Sequence, residues 1–580
     1  VTAIQGLHGG DFNISGLLAA HAIATPRKLF ARCDDQLATY SEVQDAAGSI
    51  AAMLGRTGIE PGDRIAYLCP YRVEVVKFIF GVALVGGVNA VLNIFLRGDF
   101  LTHQLVDSDP SALVVDAAGL STALTVIDSL PRVRHIFVVD DHVDIDGETK
   151  AAIPEDVELT VWADVPSVPT GPFDSVTPHS DDPFAFVYTS GTTGMPKACV
   201  YDYAFIRRLA DVYARTWAIT AADTIYTATP LYHIAGYVGL MTALSQGASL
   251  VVDTTYSASR YILHAGDVGA TVAYGIGFHV VAALAQPELV SDRSHSLRLG
   301  WFGPLDTASA SRFEERFGFP IINEMYASTE CSLVSAGVPG VRSDANGGKP
   351  LDDIEVRLVD DHDNDVPLGA VGEITLRSSA PGALFCGYWN QPDATVSAWR
   401  HLWHHTGDLG RLNPDGSLSW VDRKSDAMRR RGEMVSAFEL ERVIAAHPLV
   451  VDVASYGVKV DDEVDDAIKV CIVTEGRGSG PVEELAEYFA ANLPYFAIPR
   501  FVEFMDDLPS NGSGKVMKYV LRNRPNDLAF DLQALGLLPE RSARRSGHGG
   551  GAAMSRGQVG RRALGRVQVR AGHSTFQHPE

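Results

Sequence analysis

Residues 188–200 read YTSGTTGMPKACV, and this stretch constrains the chain more than any other. Thr189, Ser190, Gly191, Thr192, Thr193 and Gly194 run together ahead of Pro196 and Lys197. Glycine lets the backbone turn where a Cβ would clash, so several N–H groups can face one anion. The hydroxyls add donors, and Lys197 adds a positive charge on a flexible stem. The apolar run Phe184 to Tyr188 reads as a buried strand that delivers the loop, and Ala198 to Val200 continues as β. A donor-rich loop of this kind suits a polyphosphate, with ATP as the first candidate. A flexible surface turn is the plain alternative. The Walker loop does not fit, because there Gly-Lys-Ser/Thr opens a helix, whereas Pro196 here separates glycine from lysine.

Around that loop, from Asp35 to about Val421, strand-like runs alternate with helical patterns. Arg64 to Leu68, Ala112 to Val115, His135 to Val139, Ser249 to Val252 and Thr271 to Tyr274 are examples. Such alternation predicts an α/β architecture of mainly parallel sheets covered by helices. Residues 352–378 instead read strand, polar turn, strand, as a smaller β-subdomain would. The most membrane-like run, Val75 to Phe95, holds Lys77, Gly86, Gly87, Asn89 and Asn93, so it reads as a buried helix and a short strand. A new unit follows Arg423: strand-like Ala427 to Arg430, helix Ala437 to Ala446, strands Val450 to Val458 and Ala467 to Val473, and helix Val482 to Asn492. Two strands with packed helices are expected there. Beyond about Asn526 the periodicity fades, and from Arg541 the Gly/Ser/Arg-rich text predicts disorder.

At 580 residues the chain exceeds what one core normally holds, so two or more domains are expected. The net charge of −23 is unevenly spread. Residues 541–580 hold eight arginines and one glutamate, +7, which leaves −30 for the rest. An acidic body argues against nucleic acid and anionic membranes as main partners. Six scattered cysteines without a CxxC pair point to a reducing, cytoplasmic setting with no zinc or disulfide framework. The N-terminus shows no basic start followed by an apolar block, so no signal peptide is expected.

The loop string closely resembles the signature of the adenylate-forming superfamily: acyl-CoA synthetases, peptide-synthetase adenylation domains and luciferases. Further motifs follow in that family's order. NEMYASTE at 323–330 resembles its Tyr-Gly-x-Thr-Glu element, HHTGDLGR at 404–411 its Thr-Gly-Asp, DRKSDAMRRRGEMVSAFE at 422–439 its hinge, and LPSNGSGKVMK at 508–518 its catalytic-lysine segment. Smaller echoes are PLYHIAG at 230–236, GGKP at 347–350, GEI at 372–374 and GYW at 387–389. The resemblance covers about residues 15–525.

It implies an α/β large N-terminal domain with two sheets and a β-subdomain over 1–421, and a hinge at 422–426. A small mobile α+β C-terminal domain would cover 427–525, with a tail over 526–580. It also implies roles. Loop residues 189–194 and Lys197 would hold ATP phosphates; Tyr326 would pack on adenine, with a core tyrosine as the alternative. Thr329 would touch the α-phosphate, with Ser328 beside it in the nucleotide site, and Glu330 would hold Mg²⁺. Asp408 would accept both ribose hydroxyls, and Arg423 would pair with ribose or phosphate oxygens. Lys515 would bridge the attacking carboxylate and the α-phosphate. The small domain would then rotate so that the face near Gly432 admits the thiol of coenzyme A. His233 would gate the acyl pocket or serve as a structural histidine beside it.

This chain departs from the family at several places. Ala198 and Ala327 replace glycines, Tyr203 replaces a histidine, and Ser425 stands at the hinge where Asp or Lys is usual. WFGP at 301–304 replaces Gly-Gly-Ala-Pro. Trp301 or Phe302 would shorten the acceptor pocket if its ring faced it; both rings in the core is the competing reading. The leading expectation is a stand-alone ATP-dependent acyl-CoA synthetase, an AMP-forming acid–thiol ligase, monomeric or homodimeric. The second is an adenylating enzyme with another acceptor or substrate, such as a carrier-protein thiol or nitrite for diazotisation. A non-catalytic binder would have lost Lys515, Glu330 or Asp408, and all three are present.

Overall fold

The computed structural model describes residues 14–95, 98–140, 145–169, 175–189, 195–303, 305–343, 346–424, 426–430, 433–460, 466–475, 481–510 and 516–538. Two seven-stranded sheets organise the large domain. The first runs in the order Glu158–Val161, His135–Val138, Ala112–Val115, Arg64–Leu68, Val88–Val91, Pro183–Tyr188, Ala198–Asp202. Its neighbours are parallel except the last pair, a hairpin whose tip is the loop after Tyr188. The second sheet runs Ile321–Ile322, Leu299–Phe302, Val272–Gly275, Thr224–Thr227, Ser249–Val252, Leu29–Cys33, Gln36–Thr39. It too is parallel apart from its final antiparallel edge.

Strands of these sheets read as unbroken apolar runs because both faces are covered. In Ala112–Val115, Val114 joins the core shared with the second sheet, while Leu113 and Val115 join the core on the opposite face. The shared core holds helices Tyr40–Arg56, Val73–Leu84, Tyr203–Thr216 and Ile234–Gln246 between the sheets. The run Val75 to Phe95 is thereby a buried helix and the strand Val88–Val91, as expected. Among the described residues no helix is long and apolar enough to cross a membrane.

Trp301 and Phe302 are consecutive on one strand, so their side chains leave opposite faces. Trp301, 3% exposed, packs in the shared core against Tyr213 and Trp217, with ring centroids 5.6 and 5.8 Å away. Phe302, 0% exposed, packs in the outer core against Phe313 at 5.6 Å. The structure therefore places both rings in apolar cores.

The β-subdomain is antiparallel: Ile354–Val359, Val371–Ser378 and Trp403–Leu412 pair in turn, and Leu418–Arg423 pairs with Trp403–Leu412. A separate three-stranded sheet, Met325–Ser328, Ser332–Ala336 and Lys349–Pro350, turns sharply at Thr329–Cys331.

The small domain differs from the two strands expected. It has a four-stranded sheet, Val450–Val458, Ala467–Thr474, Phe501–Met505 and Phe530–Asp531, packed against helices Ala437–Ala445 and Val482–Asn492. Leu532 is fully buried in that core, with Leu537 and Leu538 packed on it. The packed chain thus runs past Asn526 to at least Leu538; the Gly/Ser/Arg-rich stretch from Arg541 lies outside the described residues. Inside the sheet, Lys469 and Glu503 form a buried ion pair at 2.9 Å, and Arg524 closes on the other Glu503 oxygen at 2.5 Å.

Because Trp301 fills a core, Trp301→Ala should lower stability by about 3–5 kcal/mol, the cost of a large aromatic truncation. Denaturant unfolding measures this. A pocket-facing ring would leave stability nearly unchanged and shift acid preference instead.

Candidate active site

The line of polar residues around Asp408 starts from register. In the β-subdomain, Asp408 is the direct cross-strand partner of Arg423. Their side chains form an ion pair, Arg423 Nε to Asp408 Oδ1, at 2.9 Å. The other oxygen, Oδ2, accepts the Tyr326 hydroxyl at 2.6 Å. Asp408 is only 2% exposed, and that burial raises its carboxyl pKa, with Arg423 and Tyr326 opposing the rise. A hidden carboxylate with one cation and one hydroxyl is a strong acceptor held ready. Its backbone N–H donates to Thr406 Oγ1, whose hydroxyl donates to the Ile374 carbonyl at 2.8 Å. Burial, then the Asp408 charge, pushes the Tyr326 phenol well up, so it stays a donor.

Tyr326 lies on the strand Met325–Ser328, which ends in the turn holding Thr329 and Glu330. The Thr329 carbonyl accepts the Tyr201 hydroxyl at 2.6 Å, and the Phe385 N–H donates to the Glu330 carbonyl at 2.8 Å, so the turn is pinned on two sides. The Glu330 carboxylate receives Ser328 Oγ on Oε2 at 3.0 Å and the Tyr388 hydroxyl on Oε1 at 2.9 Å. Among the described residues Glu330 has no ion-pair partner. Lys197 Nζ lies 4.4 Å from the centroid of the same Tyr388 ring. Thr189 and Lys197 close the base of the glycine-rich loop: the Thr189 N–H donates to the Lys197 carbonyl at 2.9 Å, and the Lys197 N–H to Thr189 Oγ1 at 3.2 Å.

The structure therefore joins Lys197, Glu330, Ser328, Tyr326, Asp408 and Arg423 into one neighbourhood, with Thr189 and Thr329 at its edges. Sequence reading missed Tyr388, which links the two halves; the GYW echo was its signal. His404 sits against the Phe385 and Trp399 rings, and burial lowers its pKa to about 4, a packing role. His233 caps the helix Ile234–Gln246, and burial lowers its pKa as well. No hydrogen bond or ion pair joins the His233 side chain to the line among the described residues. Trp301 and Phe302 stand apart in their cores. Ser190, Gly191, Thr192, Thr193, Gly194, Ser425, Gly432 and Lys515 lie outside the described residues.

A magnesium ion fits this donor set. Mg²⁺ keeps its waters and is usually held by one or two carboxylates together with substrate phosphates. Glu330 supplies one carboxylate oriented by two neutral hydroxyls. No cluster of three or more His, Cys, Asp or Glu suited to a metal exists among the described residues. The protein thus offers part of a shell that a polyphosphate would complete.

The connection between the two domains is tied on both sides. Lys424 Nζ pairs with Glu373 at 2.7 Å and with Asp361 at 3.3 Å, both in the β-subdomain. Asp426 pairs with Arg522 of the small domain at 2.7 Å. The segment behind Lys515 is held further by Lys518 to Glu441 at 2.8 Å and by the Ser510–Val516 bridge.

Known proteins resemble this chain over most of its length. The family model of the AMP-binding enzyme matches residues 18–389, and that of the AMP-binding enzyme C-terminal domain matches 439–515. A crotonobetaine/carnitine–CoA ligase of Salmonella paratyphi B is 29% identical over 497 residues, covering 83% of this chain and 93% of the relative. Its counterpart in Salmonella typhi is equally similar. Among solved structures, an anthranilate CoA ligase with anthranoyl-AMP superposes with a TM-score of 0.77 at 23% identity, over 89% of this chain and 97% of that one. ATP-bound MatB from Rhodopseudomonas palustris gives 0.74 at 24% identity, over 88% and 98%. These last two share the fold.

Asp408→Ala would strip the acceptor from a buried Tyr326 hydroxyl and from Arg423. It should cost roughly 1–3 kcal/mol of stability in denaturant unfolding. Asp408→Asn, which keeps an acceptor for the hydroxyl, should cost less; equal losses would mean the hydroxyl bond contributes nothing.

Proposed function

Because this chain belongs to the AMP-binding enzyme family, we propose that it is an ATP-dependent, AMP-forming acid–thiol ligase acting on a carboxylic acid with coenzyme A as acceptor. The observation that supports this most is the line from Arg423 through Asp408, Tyr326 and Glu330 to Lys197. It sets a nucleoside acceptor at one end and phosphate-side charges at the other. Condensing a carboxylate with a thiol in water is uphill, so one oxygen must first become a leaving group. A carboxylate oxygen attacks the α-phosphorus of ATP, the bond to pyrophosphate breaks, and acyl-AMP results. The thiolate then attacks the acyl carbon and AMP leaves.

Both first-step reactants are anionic, so cations and N–H donors must stand where charge develops. Asp408 takes the ribose hydroxyls, with Arg423 beside it and Tyr326 against the adenine. Thr189, Ser190, Gly191, Thr192, Thr193, Gly194 and Lys197 hold the outgoing phosphates, and Thr329 and Ser328 lie on the α-phosphate side. Bound at Glu330, Mg²⁺ would neutralise phosphate charge. Lys515 brings a mobile positive charge between carboxylate and α-phosphate. After the small domain turns about 422–426, the face near Gly432 receives the thiol.

Coenzyme A as acceptor is supported by the relatives, carnitine-type CoA ligases aligned over most of this chain. The start of the His233 helix is closely packed. The Tyr274 hydroxyl donates to the Ala235 carbonyl at 2.8 Å and accepts the Gly239 N–H at 3.1 Å, sealing the start of the His233 helix. Behind Tyr274 lie Trp217 at 5.1 Å and then Trp301 and Tyr213.

Pyrophosphate release with ATP and Mg²⁺ should be driven by a carboxylic acid, and thioester should form only with coenzyme A. Release driven by nitrite, or product without coenzyme A, would overturn this reading. Lys515→Ala should cut adenylation by on the order of 10²–10³-fold and leave thioester formation from supplied acyl-AMP largely intact. Because the Asp408 pKa is raised, wild-type ATP affinity should begin to fall at a pH where an ordinary aspartate is still ionised. The fall follows protonation, which removes the ribose acceptor. Calorimetry at stepped pH should find this component absent from Asp408→Asn.

A further inference from the structure

We propose that Tyr388 is a positioning residue that keeps the Glu330 carboxylate and the Lys197 ammonium apart and separately oriented. This rests on the reading above, in which Glu330 serves the metal and Lys197 the phosphates. Opposite charges flank one phenol: its ring lies under Lys197 Nζ, and its hydroxyl donates to Glu330 Oε1. Among the described residues no ion pair joins Lys197 to Glu330. A direct pair would commit each charge to the other and leave less for a polyphosphate and its cation. A cation over an aromatic face keeps its N–H donors available, and a neutral hydroxyl orients a carboxylate without cancelling it.

The backbone around Tyr388 is built for such precision. Residues 386–389 lie along the strand Ala198–Asp202, which leads out of the glycine-rich loop. The Cys386 N–H donates to the Val200 carbonyl, the Val200 N–H to the Gly387 carbonyl, and the Trp389 N–H to the Ala198 carbonyl, at 2.9–3.0 Å. Gly387 takes φ +140°, and a Cβ there would come within 2.8 Å of the Thr395 side chain. Thr395 Oγ1 in turn accepts the Tyr388 N–H at 2.9 Å. On the other side, the Trp389 ring packs on Phe186 at 4.9 Å and its Nε1–H donates to the Asp107 carbonyl at 3.0 Å. Tyr388 therefore moves with the loop's own exit strand. Burial and the Glu330 charge push its phenol pKa well up, so it remains a donor.

Three variants test this by calorimetric ATP affinity with and without Mg²⁺, beside the Mg²⁺ dependence of pyrophosphate release. Tyr388→Phe keeps the ring and loses the hydroxyl. It should reduce the affinity gain conferred by Mg²⁺ by roughly tenfold, the scale of one hydrogen bond to a charged group, and leave Mg²⁺-free ATP affinity unchanged. Tyr388→Leu also frees Lys197 to pair with Glu330, so Mg²⁺-free affinity should fall too. Glu330→Gln is the control for the underlying reading. If Glu330→Gln weakens the Mg²⁺ effect while Tyr388→Phe does not, the positioning role is overturned and the reading stands. If Glu330→Gln has no effect, Glu330 is not the metal carboxylate and both fall. The near-isosteric Tyr388→Phe keeps the test decisive even where Tyr388→Leu fails to fold.

Discussion

A carboxylate buried on a β-hairpin has to be matched, and Asp408 is matched twice. Its strand register places Arg423 directly opposite, and Tyr326 arrives from a different sheet. That triple meeting fixes the β-subdomain against the three-stranded sheet. It also sets the end of one hairpin strand, Arg423, at the start of the connection to the small domain. The buried carboxylate and that connection thus share one ion pair. Hydrogen bonds to the charged form and a nearby cation offset the cost of burial, which explains why the carboxyl is raised only against resistance.

The surroundings of Glu330 and Lys197 are built on a different principle. Among the described residues no ion pair joins these two charges; a phenol lies between them, with a turn and an added strand converging on it. The large domain supplies the rigidity behind this arrangement, since both parallel sheets share one apolar core and present their connecting segments on a common scaffold. Sites mounted on packed elements hold geometry better than sites on free loops.

Much of this was legible in the sequence. Parallel strands covered on both faces give contiguous apolar runs, so Arg64–Leu68 and Ala112–Val115 could be read residue by residue. The turn chemistry around Thr329 and the Asp408 hairpin were marked by polar strings whose order matches a family. Legibility failed where structure depends on distant partners. Phe530–Asp531 is too short to show a period and exists only because Phe501–Met505 offers it an edge. Lys469, a cation in an apolar strand, gives no hint of the Glu503 and Arg524 that neutralise it. Trp301 and Phe302 looked like substrate determinants because small residues are usual there, yet adjacent residues on a strand must diverge to opposite faces. Tyr388 was visible only as an aromatic in a short echo, since its two charged neighbours lie nearly 60 and 200 residues earlier.

The ties around residue 425 have a mechanical meaning. Arg423 and Lys424 are anchored to the large domain, and Asp426 to the segment behind Lys515. In the proposed rotation each of these anchors would travel with its own body, since each lies on its own side of residue 425. What would have to yield is the face between the bodies, where the Phe438 ring meets Trp420 at 5.5 Å and the Phe438 N–H donates to Asp422 Oδ2 at 3.3 Å. A turn at so short a connection would trade those contacts for a long arc at the rim.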